Sequence, residues 1–89
     1  MKSIKISAMW CPACLIMNKT WKKIKEEYPD IEIVNLDYDI DSLEVEKYEP
    51  GKILPVIIFI DKDKEVNRLI GEMSIEKIRS EIDKYVKQY

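Results

Sequence analysis

Two cysteines stand three positions apart in the run Trp10-Cys11-Pro12-Ala13-Cys14, and the chain holds no other. At that spacing two thiols can close a small disulfide ring and open it again. The reacting species in such exchange is the thiolate. The chain has no histidine, which removes the usual general base and the commonest metal ligand. Two thiols alone cannot complete a tetrahedral zinc site, although a zinc shared between two chains stays open. In a reducing compartment a close pair beside a strand–helix unit reads as redox chemistry rather than as a structural staple.

The elements around the pair must hold it at a helix mouth. Lys2–Ala8 alternates, with Ile4, Ile6 and Ala8 on one face and Lys5 and Ser7 on the other, as a short strand does. A helix follows from about Cys11, with Pro12 near its first position, where a missing N–H costs nothing. Cys14, Met17, Trp21, Ile24 and Tyr28 form its apolar stripe. Pro29 ends it. Ile31–Leu36 reads as a second strand. Asp41 with Glu44 forms a capping box for a short helix ending near Tyr48. Ile53–Ile60 is nearly all apolar, the mark of a strand covered on both faces, with Pro55 at its start. Asp61–Lys64 turns the chain into an edge strand over Glu65–Ile70, which Gly71 breaks. Ser74 caps a last helix with the stripe Ile75, Ile78, Ile82, Tyr85 and Val86. The order is βαβαββα: an α/β fold with a four-stranded mixed sheet and three helices, expected as one domain over residues 1–89.

Composition narrows the function. Hydrophobic residues are 46% and charged ones 36%, with a net charge of −2. That mix suits a globular chain and lacks the basic footprint of a nucleic-acid binder. No apolar run approaches the ~20 residues of a membrane span. No signal peptide is apparent, so a cytoplasmic location is expected, with neither membrane nor nucleic acid as partner.

Motif and element order together resemble the thioredoxin superfamily over essentially the whole length. The anchors are Trp10-Cys11-Pro12-Ala13-Cys14 after the first strand, Leu54-Pro55 opening the third, and Gly71 between the last strand and the last helix. Asn35-Leu36-Asp37 and Lys47-Tyr48 match the middle segment. The chain resembles short thioredoxins and glutaredoxin-like proteins with the minimal fold. Proline after the first cysteine is similar to glutaredoxins. Trp10 and the single Gly71 are similar to thioredoxins.

The resemblance implies a protein disulfide oxidoreductase. Cys11 is then the attacking thiol, its anion favoured by the free N–H groups and dipole at the helix start. Cys14 is the resolving thiol, less exposed and harder to ionise. Trp10, Pro12, Ala13, Leu54, Pro55 and Gly71 would frame the substrate surface, with Leu54–Pro55 cis and the Leu54 backbone pairing with substrate. No bound cofactor or metal is implied beyond the Cys11–Cys14 disulfide itself. Disulfide-containing proteins are the implied substrates, and a thioredoxin-reductase-like flavoenzyme the implied donor. A monomer is expected. Two other readings stand beside it: a glutathione-dependent glutaredoxin-like enzyme, and a redox-gated binding module without general turnover.

The chain departs from the family at Lys5, where thioredoxins keep a buried acid. The lysine that often partners this acid falls near Ile33. A Lys5 ammonium close to the site would favour thiolate; a Lys5 turned to solvent would leave proton transfer to water. Met9 reads as packing. Asp37-Tyr38-Asp39-Ile40-Asp41 reads as a solvated, helix-capping loop, because Ser42 and Tyr48 replace the glycine and glutamate that a calcium loop needs. The four lysines at positions 19, 22, 23 and 25 read as the wet face of a helix.

Overall fold

A computed structural model of the protein describes residues 2–86; the Val86 side chain, expected in the last apolar stripe, lies outside the described part. The elements are β1 (Lys2–Ser7), α1 (Pro12–Glu27), β2 (Glu32–Asp37), α2 (Ser42–Tyr48), β3 (Val56–Asp61), β4 (Lys64–Ile70) and α3 (Ile75–Val86). The sheet order is β2-β1-β3-β4. β1 and β2 run parallel, while β3 is antiparallel to both β1 and β4. This is the expected α/β fold, a mixed four-stranded sheet with three helices.

The all-apolar run explains why β3 is central. Val56, Ile57, Ile58 and Phe59 are each fully buried. Val56 and Ile58 pack into one cluster with Ile4, Ile6 and Val45 of α2, while Ile57 and Phe59 join Met17, Trp21 and Ile24 of α1 and Ile78 and Ile82 of α3. Each such side chain contributes roughly 1.5–3 kcal/mol by leaving water. The strand starts later than the sequence suggested. Ile53 is 63% exposed and lies outside it, and Pro55 immediately precedes it. A proline at Pro55 has no N–H for the ladder, so pairing begins at Val56.

β1 also differs from expectation. Its alternation suggested one wet face, yet Ser3, Ile4, Lys5 and Ile6 are all buried, because helices cover both sides of a central strand. Alternation cannot distinguish a polar face in water from a polar face under a helix. The strand ends at Ser7, one residue before Ala8.

Two further details settle locally. Asp41 stands at the N-cap of α2 but makes no cap bond there; its Oδ2 accepts from the Asp37 N–H at 2.8 Å. Glu44 instead pairs with Lys47 at 3.0 Å. The capping box is therefore absent, because the preceding loop uses the carboxylate first. The β3–β4 turn places Lys62 and Asp63 at positive φ, the two-residue hairpin geometry that matches strand twist.

Candidate active site

The helix mouth is built as the spacing required. The Cys11 N–H bonds back to the Ala8 carbonyl at 3.2 Å, turning the chain out of β1. Cys11 then takes extended angles as the N-cap of α1, and Pro12 occupies the first turn. The Cys14 N–H donates to Cys11 Sγ at 3.3 Å. A sulfur thus does the capping that Ser or Asp usually does, satisfying one of the free N–H groups of the helix start. The Cys11 thiol points on to the Leu54 carbonyl at 3.7 Å.

Both cysteines are free thiols and both are buried, Cys11 at 6% exposed and Cys14 at 3%. Burial pushes the Cys14 thiol up to about 11, and its hydrogen bond with Cys11 adds to the rise. The Ala8 backbone and the Lys5 charge oppose it.

Lys5 lies under this pair. It is only 9% exposed, and its side chain lies against α1 rather than extending freely into solvent. Its Nζ donates to Asn18 Oδ1 at 3.2 Å. Burial lowers the Lys5 pKa, partly offset by the negative charge of an ionised Cys14. Asn35 faces Lys5 across the parallel pair, Ile33 lines the same groove two residues back, and neither is a lysine.

Around the thiols, Leu54 and Ala13 pack with Cys11 and Cys14 in one cluster. Pro55 is fully buried and its bond to Leu54 is cis, as the resemblance implied. The Gly71 N–H donates to the Pro55 carbonyl at 2.8 Å, and the residue takes a φ of +85°, which favours glycine. Trp10 is 60% exposed, and its indole N–H donates to Asp39 Oδ2 at 2.7 Å. Tyr38 meets it edge to face. Pro12 is exposed beside it.

Several neighbours were not foreseen. Met9, expected to pack inside, is 78% exposed. Ile53, assigned to a strand, is exposed, and its Cγ2 would meet a Cβ added at Gly71 at 3.5 Å. Asp39, read as solvated, holds Trp10. Asn18, read as nothing in particular, holds Lys5. The Asn18 contact had one available signal: it lies one helical turn beyond Cys14 and so faces the same strand. The Trp10–Asp39 contact spans 29 residues and had none.

A family model described as Thioredoxin matches residues 3–84. Thioredoxin of Chlamydia pneumoniae is 30% identical over 78 residues, covering 88% of this chain and 76% of its own length. Thioredoxin of Ophiophagus hannah is 28% identical over 83 residues, covering 93% and 77%. Among solved structures, thioredoxin of Trypanosoma brucei brucei superposes with a TM-score of 0.89 at 24% identity, over 98% of this chain and 75% of that one, a likeness of fold. Thioredoxin 1 of Thermosipho africanus gives 0.79 at 25% identity over 98% and 96%. Matched from its first strand into its last helix, with Cys11 and Cys14 at the mouth of α1, the chain belongs to the thioredoxin family.

Proposed function

We propose that the protein reduces protein disulfides through a reversible Cys11–Cys14 dithiol/disulfide. The observation that carries this reading is the Cys11 sulfur seated as the cap of α1, accepting the Cys14 N–H at 3.3 Å. The sulfur there meets the free N–H groups at the start of the helix. The thiolate of Cys11 attacks a substrate disulfide, one substrate sulfur leaves as thiolate, and a mixed disulfide forms. Cys14 then gives up its proton and attacks Cys11 Sγ. The Cys11–Cys14 bond forms and the second substrate thiolate leaves. Two electrons pass to the substrate, whose thiolates take up protons.

Met9, Trp10 and Ile53 offer exposed apolar contact beside the pair, and the Leu54 backbone, whose carbonyl accepts from the Cys11 thiol, would pair with an extended substrate segment. Pro12, Ala13 and Gly71 border that surface without charge, while Pro55 is fully buried. The Lys5 ammonium favours the Cys14 thiolate at the resolving step, against the burial that opposes it. A thioredoxin-reductase-like flavoenzyme as donor, a monomeric state and a cytoplasmic setting complete the reading. No helix among the described residues is long and apolar enough to cross a membrane.

The test is a pair of variants assayed on a protein disulfide with reductase and dithiothreitol as alternative donors. Cys11→Ser abolishes reduction. Cys14→Ser accumulates a mixed disulfide through Cys11 that mass spectrometry detects. A trap formed through position 14 in Cys11→Ser, with turnover retained, contradicts the assignment.

A further inference from the structure

A groove of about 360 Å³ opens between α1 and β2, lined by Lys5, Asn18, Trp21, Lys22, Ile33 and Asn35. Lys25 reaches its edge, but its ammonium is held by the Pro29 and Ile31 carbonyls at 3.2 and 2.7 Å. Every titratable side chain on the groove is a lysine; no carboxylate lines it. Lys5 is the unusual member. Its ammonium carries three donors, and its one hydrogen bond among the described residues goes to the neutral Asn18 amide. The ion pairs among the described residues leave it without a carboxylate. A second donor nearby lacks a partner: Trp21 is buried, and its indole N–H has no acceptor among the described residues. Buried charge is ordinarily paired. Here no carboxylate among the described residues supplies the counter-charge, and the groove leaves space for an anion.

We infer that this groove binds a small phosphate-class oxyanion, centred on the Lys5 ammonium, with Lys22 on its exposed side and the Asn18 and Asn35 amides as neutral donors. Two properties fit this ligand. The lining supplies donors and positive charge, and its apolar floor of Trp21 and Ile33 excludes water from one side, which strengthens the attraction. The site also has a consequence for the thiols, since Lys5 and Cys14 interact electrostatically. An anion on Lys5 cancels the field that favours the Cys14 thiolate and slows the resolving step. Binding stands independently of the disulfide-exchange reading; the slowing rests on it.

The experiment titrates inorganic phosphate into the full chain at constant ionic strength and follows amide and indole N–H signals by NMR. Saturable shifts at Asn18, Trp21 and Asn35 are expected, with affinity about tenfold weaker in Lys5→Met. Lys5→Met alters the interior, so Asn18→Asp is the second variant. It keeps the size of the side chain, gives Lys5 a carboxylate of its own, and is expected to abolish phosphate binding. Shifts that rise without saturating, or binding unchanged in Asn18→Asp, overturn the site. Glycerol phosphate run alongside identifies the source: tighter binding marks an organic phosphate, equal binding the free anion. In single-turnover release from the mixed disulfide, phosphate slows the parent severalfold and leaves Asn18→Asp unchanged. Saturable binding without slowing overturns the link to Cys14. A protein that releases no substrate even without phosphate counts instead against the exchange reading and leaves the binding result standing.

Discussion

Among the described residues two charged side chains are buried, Lys5 and Glu81, and the chain treats them differently. Glu81 of α3 is fully provided for. Its two oxygens accept from Asn67 of β4 at 2.5 Å and from Lys84 at 2.9 Å, and these partners hold its carboxyl below the usual carboxylate range. Lys5, beneath the thiol pair, has one neutral amide partner, and burial lowers its pKa. The first arrangement ties a helix to a strand. The second keeps a positive charge poorly compensated beside the thiol proposed to resolve the mixed disulfide. The fold gives Glu81 charged and neutral donors and leaves Lys5 with one neutral partner.

The sharpest way to break this contrast is at Glu81. Glu81→Leu leaves the Asn67 amide and the Lys84 ammonium without their acceptor, and is expected to destabilise the protein by about 1–3 kcal/mol, read by denaturant unfolding. Lys5→Met should do the reverse in kind. It slows the resolving step about tenfold, equivalent to about 1.4 kcal/mol, while stability stays level or rises because a desolvated charge is gone. If Lys5→Met proves as destabilising as Glu81→Leu and resolves at the parent rate, the two charges are alike and the contrast is wrong.

The pH dependence sharpens it further. The Glu81 pKa is depressed in the folded state, so its stabilisation is present above the unfolded value of about 4.3 and is lost as pH falls through the folded value. Acid unfolding of Glu81→Gln should therefore be shallower than that of the parent. Cys14 runs the opposite way. Its folded value, about 11, lies above the unfolded one of about 8.5, so the reduced protein loses stability as pH rises between them, and Cys14→Ala removes that loss. The smallest effect belongs to the exposed rim. Asp39→Ala frees the Trp10 indole at the surface and should weaken substrate contact by less than about 1 kcal/mol, visible as a raised KM with little change in stability.

The contrast also marks what the sequence could and could not say. Spacing alone located Cys11, Pro12 and Cys14 on the first turn of a helix, and the apolar run from Val56 to Phe59 announced a strand covered on both faces. Those are local patterns with a fixed period. Asn18, Asp39 and Asn67, which bond Lys5, Trp10 and Glu81, lie 13, 29 and 14 residues from them, and no periodicity links side chains on different elements. The burial of Lys5 was hidden for a related reason: its alternating strand matched a half-exposed one, and only the helices laid over it later in the chain bury its polar face. The Asp41 capping box failed because a nearer backbone N–H, that of Asp37, competed for the same carboxylate.

The reversible bond between Cys11 and Cys14 is the centre of this account, and equilibration in graded thiol–disulfide buffers tests it most directly. The account predicts a single two-electron transition, with potential between about −270 and −120 mV, whose oxidised product is the intramolecular Cys11–Cys14 disulfide on peptide mapping. Cysteines that stay reduced across that range, or that oxidise only by joining two chains, would contradict it.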